Sequence, residues 1–316
     1  MKVSVILCTF NHCQSLATTL ESLAASLMPT HISWDILVVD NNSNDRTREV
    51  VDEYRRMAPD HFRYLFEPLQ GKSHALNAGI REAHADVIAF VDDDVTVEPT
   101  WLHNLTANLS SEEWAGAGGK IIPGWPATVP PWLATKGPYS RTPFPDFDKG
   151  QETVQLTEPP FGTNMAFRQE VFQKYGGFRL DLGPSPNRKV PCPHEDTEFG
   201  YRLMTAGERL RYEPSAVVFH PIAPERLNKK YFLNWWFDEG RASVRVFGVR
   251  PGTKWYAAGV PLYLVRSLVL WVLRWLFSVA PQARFFYKIV VWGKMGRISE
   301  HYRRTLEPQT EKECNA

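Results

Sequence analysis

The chain has 316 residues, room for one large α/β domain plus an appendage. Its 36 lysines and arginines balance 35 aspartates and glutamates to a net charge of +1, so bulk electrostatics offers no case for nucleic acid. The cysteines, Cys8, Cys13, Cys192 and Cys314, lack metal-type spacing and indicate no disulfide framework, which favours a reducing compartment. Lys2 precedes only a short apolar run, interrupted by Asn11 and His12, so no signal peptide is expected.

Val3-Ser4-Val5-Ile6-Leu7 reads as a buried strand, followed by the loop Cys8-Thr9-Phe10-Asn11. Leu16, Leu20, Leu23 and Leu27 recur at helical spacing until Pro29. Ile36-Leu37-Val38-Val39 is a second strand, ending in Asp40 and a run of Asn, Ser and Asp. An amphipathic helix is expected over about 45–57, a third strand at Phe62–Phe66, and a helix opening at Gly71-Lys72-Ser73-His74. The fourth strand, Val87–Val91, runs straight into Asp92-Asp93-Asp94. Strands alternating with helices argue for parallel β-α-β units with right-handed crossovers. In such sheets ligands bind beyond the carboxyl ends of the strands. Three carboxylates there repel one another unless a cation lies between them, which points to a divalent metal and a phosphate-bearing ligand. Capping of the next helix or a solvated turn would also account for them.

Further along, the Pro-rich stretch from Pro123 to Pro145 is too aromatic to stay solvated and reads as a packed loop. Glu195-Asp196 begins a helix with Phe199, Leu203 and Ala206 on one face, ended by Gly207. His220 ends the strand-like run Val217-Val218-Phe219. From Tyr231 the chain turns aromatic and basic. The stretch from Val260 to Ala280 is long enough to span a bilayer but contains Arg266 and Arg274. On a helical wheel Arg274 lies about 80° and Ser278 about 120° from Arg266, with tryptophans alongside. That pattern fits a helix lying in a membrane surface, with a packed appendage and a true span as the other readings.

The ordered set Val5-Ile6-Leu7-Cys8-Thr9-Phe10-Asn11, Val38-Val39-Asp40-Asn41-Asn42-Ser43, Gly71–Ile80 and Phe90-Val91-Asp92-Asp93-Asp94 resembles the family 2 glycosyltransferases of the GT-A fold. Phe161–Arg168, Gly176-Gly177-Phe178, Glu195-Asp196 and Val217–His220 continue the resemblance in the same order, over roughly the first seven-tenths of the chain. It implies a GT-A catalytic domain over 1–225, with a nucleotide-sugar half to about 120 and an acceptor half from about 121, then a helical, membrane-associated region over 226–316.

The resemblance also implies roles. Asp94 ligates Mn²⁺ or Mg²⁺, His220 completes the metal site, and Asp92 contacts the ribose or the metal's water shell. Asp93 faces the donor sugar or is merely tolerated. Asp40 accepts a hydrogen bond from the base of a UDP-type donor, and Thr9, Phe10 and Asn11 cradle base and ribose. Lys72 and Asn77 approach base or diphosphate, although Leu76 stands where relatives often carry arginine. Asp196 is the general base of an inverting transfer, Glu195 orients a lipid-linked or glycan acceptor, and Gly162 and Asn164 line the acceptor region. The expected location is the cytoplasmic face of a membrane. For single residues simpler explanations stand beside these: a turn for Asp40 and Gly162, a core histidine for His220, and the helix dipole for Glu195-Asp196. A nucleotidyltransferase and a non-catalytic nucleotide-sugar-binding protein are the alternatives. The first would carry a Gly-rich loop after the first strand, which Cys8–His12 is not.

Overall fold

Strand β1 (Lys2–Thr9) buries Val3, Val5, Ile6 and Leu7 completely, as a strand covered on both faces must. Helix α1 (Cys13–Ala24) carries the chain over to β2 (Ser33–Asp40), parallel to β1. Helix α2 (Thr47–Met57) leads to β3 (Phe62–Phe66), and α3 (Lys72–Glu82) leads to β4 (Val87–Val91), both strands again parallel to their neighbours. Short β5 (Thr96–Val97) and α4 (Trp101–Thr106) follow, then β6 (Gly116–Gly124), β7 (Val154–Gln155) and β8 (Asn164–Arg168). Helices α5 (Gln169–Tyr175) and α6 (Glu195–Thr205) precede the long β9 (Leu210–Pro221). These elements come from a computed structural model that describes residues 1–185 and 193–306, so Cys192 and Cys314 lie outside the described residues.

The strands form one sheet in the order β3-β2-β1-β4-β8-β6-β9-β5, with β7 on β9. The first four are parallel; β8 runs antiparallel to both β4 and β6, and β6 runs parallel to β9. Alternating β-α units followed by a mixed second half make the α/β, GT-A-type arrangement that the motifs implied. One boundary differs. Leu27 does not continue α1, which ends at Ala24; Leu27 is exposed and donates its N–H to the Pro99 carbonyl at 2.7 Å. A tight turn, with Ser26 N–H on the Leu23 carbonyl, ends the helical hydrogen bonding before Pro29 is reached.

Against β4 and β8, Phe90, Phe167, Phe172, Phe178 and Phe199 pack ring against ring, Phe178 and Phe199 with centroids 4.9 Å apart. Burial of such rings is the main local source of rigidity.

Two units divide the chain. The sheet unit is Met1–Gly124, Pro145–Lys189 and Glu195–Pro221. The second unit comprises Trp125–Phe144, Val190–His194 and the chain from Ile222 onward. It contains α7 (Lys229–Phe247), the small hairpin β10 (Tyr256–Ala257) and β11 (Val260–Pro261), α8 (Leu262–Phe277) and α9 (Pro281–Leu306). Helices α7 and α9 touch backbone to backbone: a Cβ added to Gly240 would lie 2.0 Å from the Gly293 carbonyl, and one on Gly296 would lie 2.0 Å from the Phe237 carbonyl. Only glycine permits that approach. The Pro-rich segment supplies Trp132 and Phe144 to an aromatic cluster with Phe232 and Phe285, as its composition suggested.

At the far end of α9, Glu300 is fully buried and accepts from Arg245 at 2.8 Å and Arg303 at 2.6 Å, with Arg241 at 3.4 Å. Burial alone would raise its pKa, but the bonds from Arg303 and Arg245 outweigh it and hold the carboxyl down at about 2. The folded value lies below the ordinary 4.5, so the ionised carboxylate stabilises the fold above about 4.5, and that contribution fades as pH falls through about 2. Glu300→Gln should cost about 3 kcal/mol in urea denaturation at neutral pH, because it leaves half-buried guanidinium groups without their anion. The gap to wild type should shrink as the same titration is repeated toward pH 2.

Candidate functional site

Strand register gathers the site. Thr9 lies opposite Asp40, and Leu7 lies opposite Val91, so the loops after β1, β2 and β4 leave the sheet at one edge. Antiparallel pairing sets Val91 against Asn164, which brings Thr163 beside Asp92. Pairing of Thr96 with Phe219 likewise brings the end of β9 beside Asp94.

Asp92, Asp94 and His220 each offer a ligand atom, and these atoms lie within 4.8 Å of one another. His220 is buried, and its Nε2 is 3.6 Å from Asp94 Oδ1. Its Nδ1 lies 3.0 Å from the Pro221 carbonyl, a contact that requires the proton on Nδ1. The Nε2 lone pair is thereby turned toward the carboxylates, the orientation a metal-ligating histidine needs. Two hard oxygen donors and one imidazole fit a divalent cation of the Mg²⁺–Mn²⁺ class.

Asp92 is the most constrained of the three. Lys72 donates to its Oδ1 at 2.6 Å, and the Thr163 hydroxyl donates to its Oδ2 at 2.5 Å. Burial works against ionisation, but Lys72 outweighs it and keeps the carboxyl below the usual range. Burial likewise opposes the Lys72 charge, and Asp92 and Glu195 more than compensate, holding the ammonium well above its ordinary value. Lys72 therefore joins two acidic groups: Asp92 on one side and Glu195, 3.8 Å away, on the other. Asp93 faces His12, whose Nδ1 is 3.3 Å from its carboxylate.

Helix α6 places Glu195 and Asp196 in its first turn, where the helix dipole favours anions. Asp196 accepts the Gly162 N–H at 2.7 Å and the Thr197 N–H at 2.6 Å, so its carboxylate is oriented while half-open to solvent. Glu195 is buried; burial and then the neighbouring Asp196 charge push its pKa up to about 7, Lys72 opposing.

The residues expected on the donor side are held at the same edge. Asp40 is buried and accepts from the Tyr64 hydroxyl at 2.8 Å and the Ser43 N–H at 2.9 Å. Thr9 is buried with its hydroxyl unpartnered. Phe10 is half-buried, and Asn11, in the left-handed region at φ 54°, ties the β1 loop to the β2 loop through Ser43 and Asn44. Two expected residues are held elsewhere. Asn77 is committed at both amide atoms to the Phe178 backbone, at 2.7 and 2.8 Å, and Gly177 must lack a Cβ to make room for it. Asn164 is fully buried, accepting from Trp101 Nε1 and donating to the Lys120 and Ala216 carbonyls; it braces β8 to β6 and β9 and does not line the cluster. Thr163 and His12 were not foreseen: each meets an aspartate far away in sequence, and no local pattern marks such a pairing.

Residues 4–176 match the profile described as glycosyl transferase family 2. The succinoglycan biosynthesis protein ExoM of Rhizobium meliloti is 27% identical over 78% of this chain and 75% of its own length. A glucosyl-dolichyl phosphate glucuronosyltransferase of Haloferax volcanii is 29% identical over 75% of each chain. Among solved structures, the mannosyltransferase PcManGT from Pyrobaculum calidifontis, in complex with GDP-Man and Mn²⁺, superposes with a TM-score of 0.61 at 16% identity, covering 96% of this chain and 86% of that one. GalNAc-T7 with UDP, GalNAc and Mn²⁺ superposes with a TM-score of 0.54 at 17% identity, over 77% of this chain and 50% of that one. At such identities these two likenesses are of fold.

The raised pKa of Glu195 has a measurable consequence in protein kept in chelator. Between the ordinary 4.5 and about 7 the folded state holds a proton that the unfolded state releases, so stability falls as pH rises through that window. Glu195→Gln should flatten that part of the slope of Tm against pH, and an unchanged slope would mean that Glu195 ionises normally.

Proposed function

The chain belongs to glycosyl transferase family 2, and on that premise we propose that it is an inverting, metal-dependent enzyme passing a sugar from a nucleotide-diphosphate donor to a hydroxyl of a lipid-linked or glycan acceptor. The convergence of Asp92, Asp94 and His220 at the strand ends carries the reading. Asp94 and His220, with Asp92 beside them, would hold the cation. Their mixed oxygen and nitrogen donors favour Mn²⁺ over Mg²⁺, and the Mn²⁺ named with both structural neighbours agrees. When bound, such an ion supplies charge neutralisation for the departing diphosphate. Lys72 keeps Asp92 ionised. Thr9, Phe10, Asn11, Asp40, Asp92 and Asp93 are the donor-side group, with a UDP-sugar favoured.

Asp196 is the base of this scheme. Gly162 and Thr197 fix its orientation, and a carboxylate with about four lone-pair sites keeps acceptor capacity beyond those bonds. The acceptor hydroxyl gives its proton to Asp196 as its oxygen bonds to the anomeric carbon. The bond from that carbon to the diphosphate oxygen breaks on the opposite face, inverting the centre. Glu195 holds the acceptor in place from the same helical turn. Nucleotidyl transfer and a non-catalytic role give way to family membership.

A lipid-facing role for the second unit is the other part of the proposal, and the name of the Haloferax relative, which specifies a dolichyl phosphate, supports it. Helix α8 buries only Leu264 and exposes Val265, Val269, Leu270, Leu273, Leu276 and Phe277, with Arg266 and Arg274 on the same side. By contrast, α7 packs Phe232 and Trp236 inward, so the surface starts later than Tyr231. None of the described helices is long and apolar enough to cross a membrane, and the 16 residues of α8 measure about 24 Å against a hydrocarbon core of about 30 Å. Ser278 caps the helix and does not extend the Arg266 face.

Three measurements test the proposal. Asp94→Asn should abolish transfer and remove metal-dependent nucleotide binding; unchanged turnover at low metal would defeat the metal assignment. Asp196→Asn should keep donor affinity within a few-fold while the rate falls by roughly 10² or more; parallel loss of both would make Asp196 a donor contact. The protein should float with anionic liposomes and be released by salt, because each near-surface basic residue contributes about 1 kcal/mol. Leu270→Glu with Leu273→Glu should abolish flotation, and a wild-type protein that never floats would leave α8 without a membrane role.

A further inference from the structure

The second unit holds a cluster of cations that nothing in the proposed chemistry uses. Arg141 lies with its guanidinium 3.9 Å from the centre of the Trp236 ring on α7. Lys294 and Arg297, one turn apart on α9, follow Gly293, where a Cβ would sit 3.3 Å from the Trp236 carbonyl and 3.9 Å from Glu239 Oε2. Glu239 is the acidic partner at this point, 3.9 Å from Arg297 Nη2 and also 3.9 Å from His194 Nε2. Among the described residues, neither the Arg141 nor the Lys294 side chain has a hydrogen bond or an ion pair, and their contacts are with aromatic rings. Both are half-buried. Burial, and then Arg297, hold the Lys294 ammonium below its usual range; the Arg141 guanidinium is lowered by burial, with Glu239 opposing and Arg297 adding to the shift. Three cations near enough to oppose one another's charge, with a carboxylate paired to Arg297 alone and all partly out of water, form an arrangement that a protein keeps at a cost unless an anion completes it.

The cluster adjoins the exposed helix. Lys294 is 6.0 Å from the centre of the Trp271 ring on α8, and α8 presents its apolar side to solvent. We infer that Arg141, Lys294 and Arg297 receive the phosphate or diphosphate head of a lipid whose chain lies along α8. Arginine supplies the planar fork suited to phosphate oxygens, and lysine adds a point charge. This inference rests on the lipid-facing reading of α8 and adds to it the headgroup chemistry and the residues that would read it.

Vesicle binding by the full chain tests it. Phosphatidylcholine vesicles carry either phosphatidic acid, a phosphate monoester, or phosphatidylglycerol, a diester, the latter in the proportion that gives equal surface charge. Wild type should bind the monoester vesicles about tenfold more tightly, the scale of one charge-assisted hydrogen bond, and free inorganic pyrophosphate should compete. In Arg141→Gln with Lys294→Gln that preference should fall to within about twofold, while α8 still binds both kinds of vesicle through its apolar face. The variant should melt close to wild type, because removal of half-buried like charge offsets the lost stacking of Arg141 on Trp236, so a loss through misfolding would be visible. Equal binding by wild type, or a preference that survives in the variant, would overturn the phosphate site while leaving the lipid-facing reading intact. Binding to neither vesicle would overturn both, and pyrophosphate binding without vesicle binding would overturn the lipid source.

Discussion

Carboxylates crowded at the ends of strands are the constraint from which the rest of the sheet unit follows. Asp92 and Asp94 leave β4 side by side, and Glu195 and Asp196 open α6, with Lys72 between Asp92 and Glu195. One ammonium cannot neutralise that many anions. The strain appears as a glutamate pushed to about 7 and a lysine held well above its usual value. Such an arrangement is favourable only if something positive visits it, or if its residual charge has a task. Under the proposed function, a donor that arrives with a divalent ion supplies the first condition, and an acceptor hydroxyl that must lose a proton supplies the second.

The scaffold makes that crowding durable. The loop that leads into β8 fixes two of the acidic groups, Asp92 through the Thr163 hydroxyl and Asp196 through the Gly162 N–H, and the end of β9 brings His220 beside Asp94. The aromatic packing of Phe90, Phe167, Phe172, Phe178 and Phe199 stiffens β4 and β8, and Asn77 and Asn164 lock the adjoining loops and strands. A site of this kind needs its supporting residues rigid, since a small displacement of one carboxylate changes the field at the others.

The alternating β-α units were legible because their signals are local. Phe62–Phe66 and Val87–Val91 fall where their apolar runs said they would, and α3 opens at Gly71-Lys72. Asp94, Asp92 and His220 were recognisable as a group only through the order of motifs, and the fold then brings them within reach of one another. Other features lay beyond sequence reading. The antiparallel pairing of β8 with β4 joins residues more than seventy positions apart, so the hydroxyl of Thr163 on Asp92 left no trace in any window. For the same reason Asn77 and Asn164 read as ligand contacts, although their amides hold backbone together. In the C-terminal region, composition showed aromatic and basic character but not which helix would turn inward. The glycine contacts between α7 and α9 decide that, and they leave α8 outside.

The central claim is that the strand-end carboxylates and His220 form a cation site that acts with a nucleoside diphosphate. Anomalous diffraction from crystals soaked in Mn²⁺ with UDP tests it most directly. The account predicts one strong peak at about 2.0–2.3 Å from an Asp94 oxygen and from His220 Nε2, next to the diphosphate. A saturated crystal with nucleotide bound and no peak there, or a peak held only by groups away from Asp94 and His220, would contradict it.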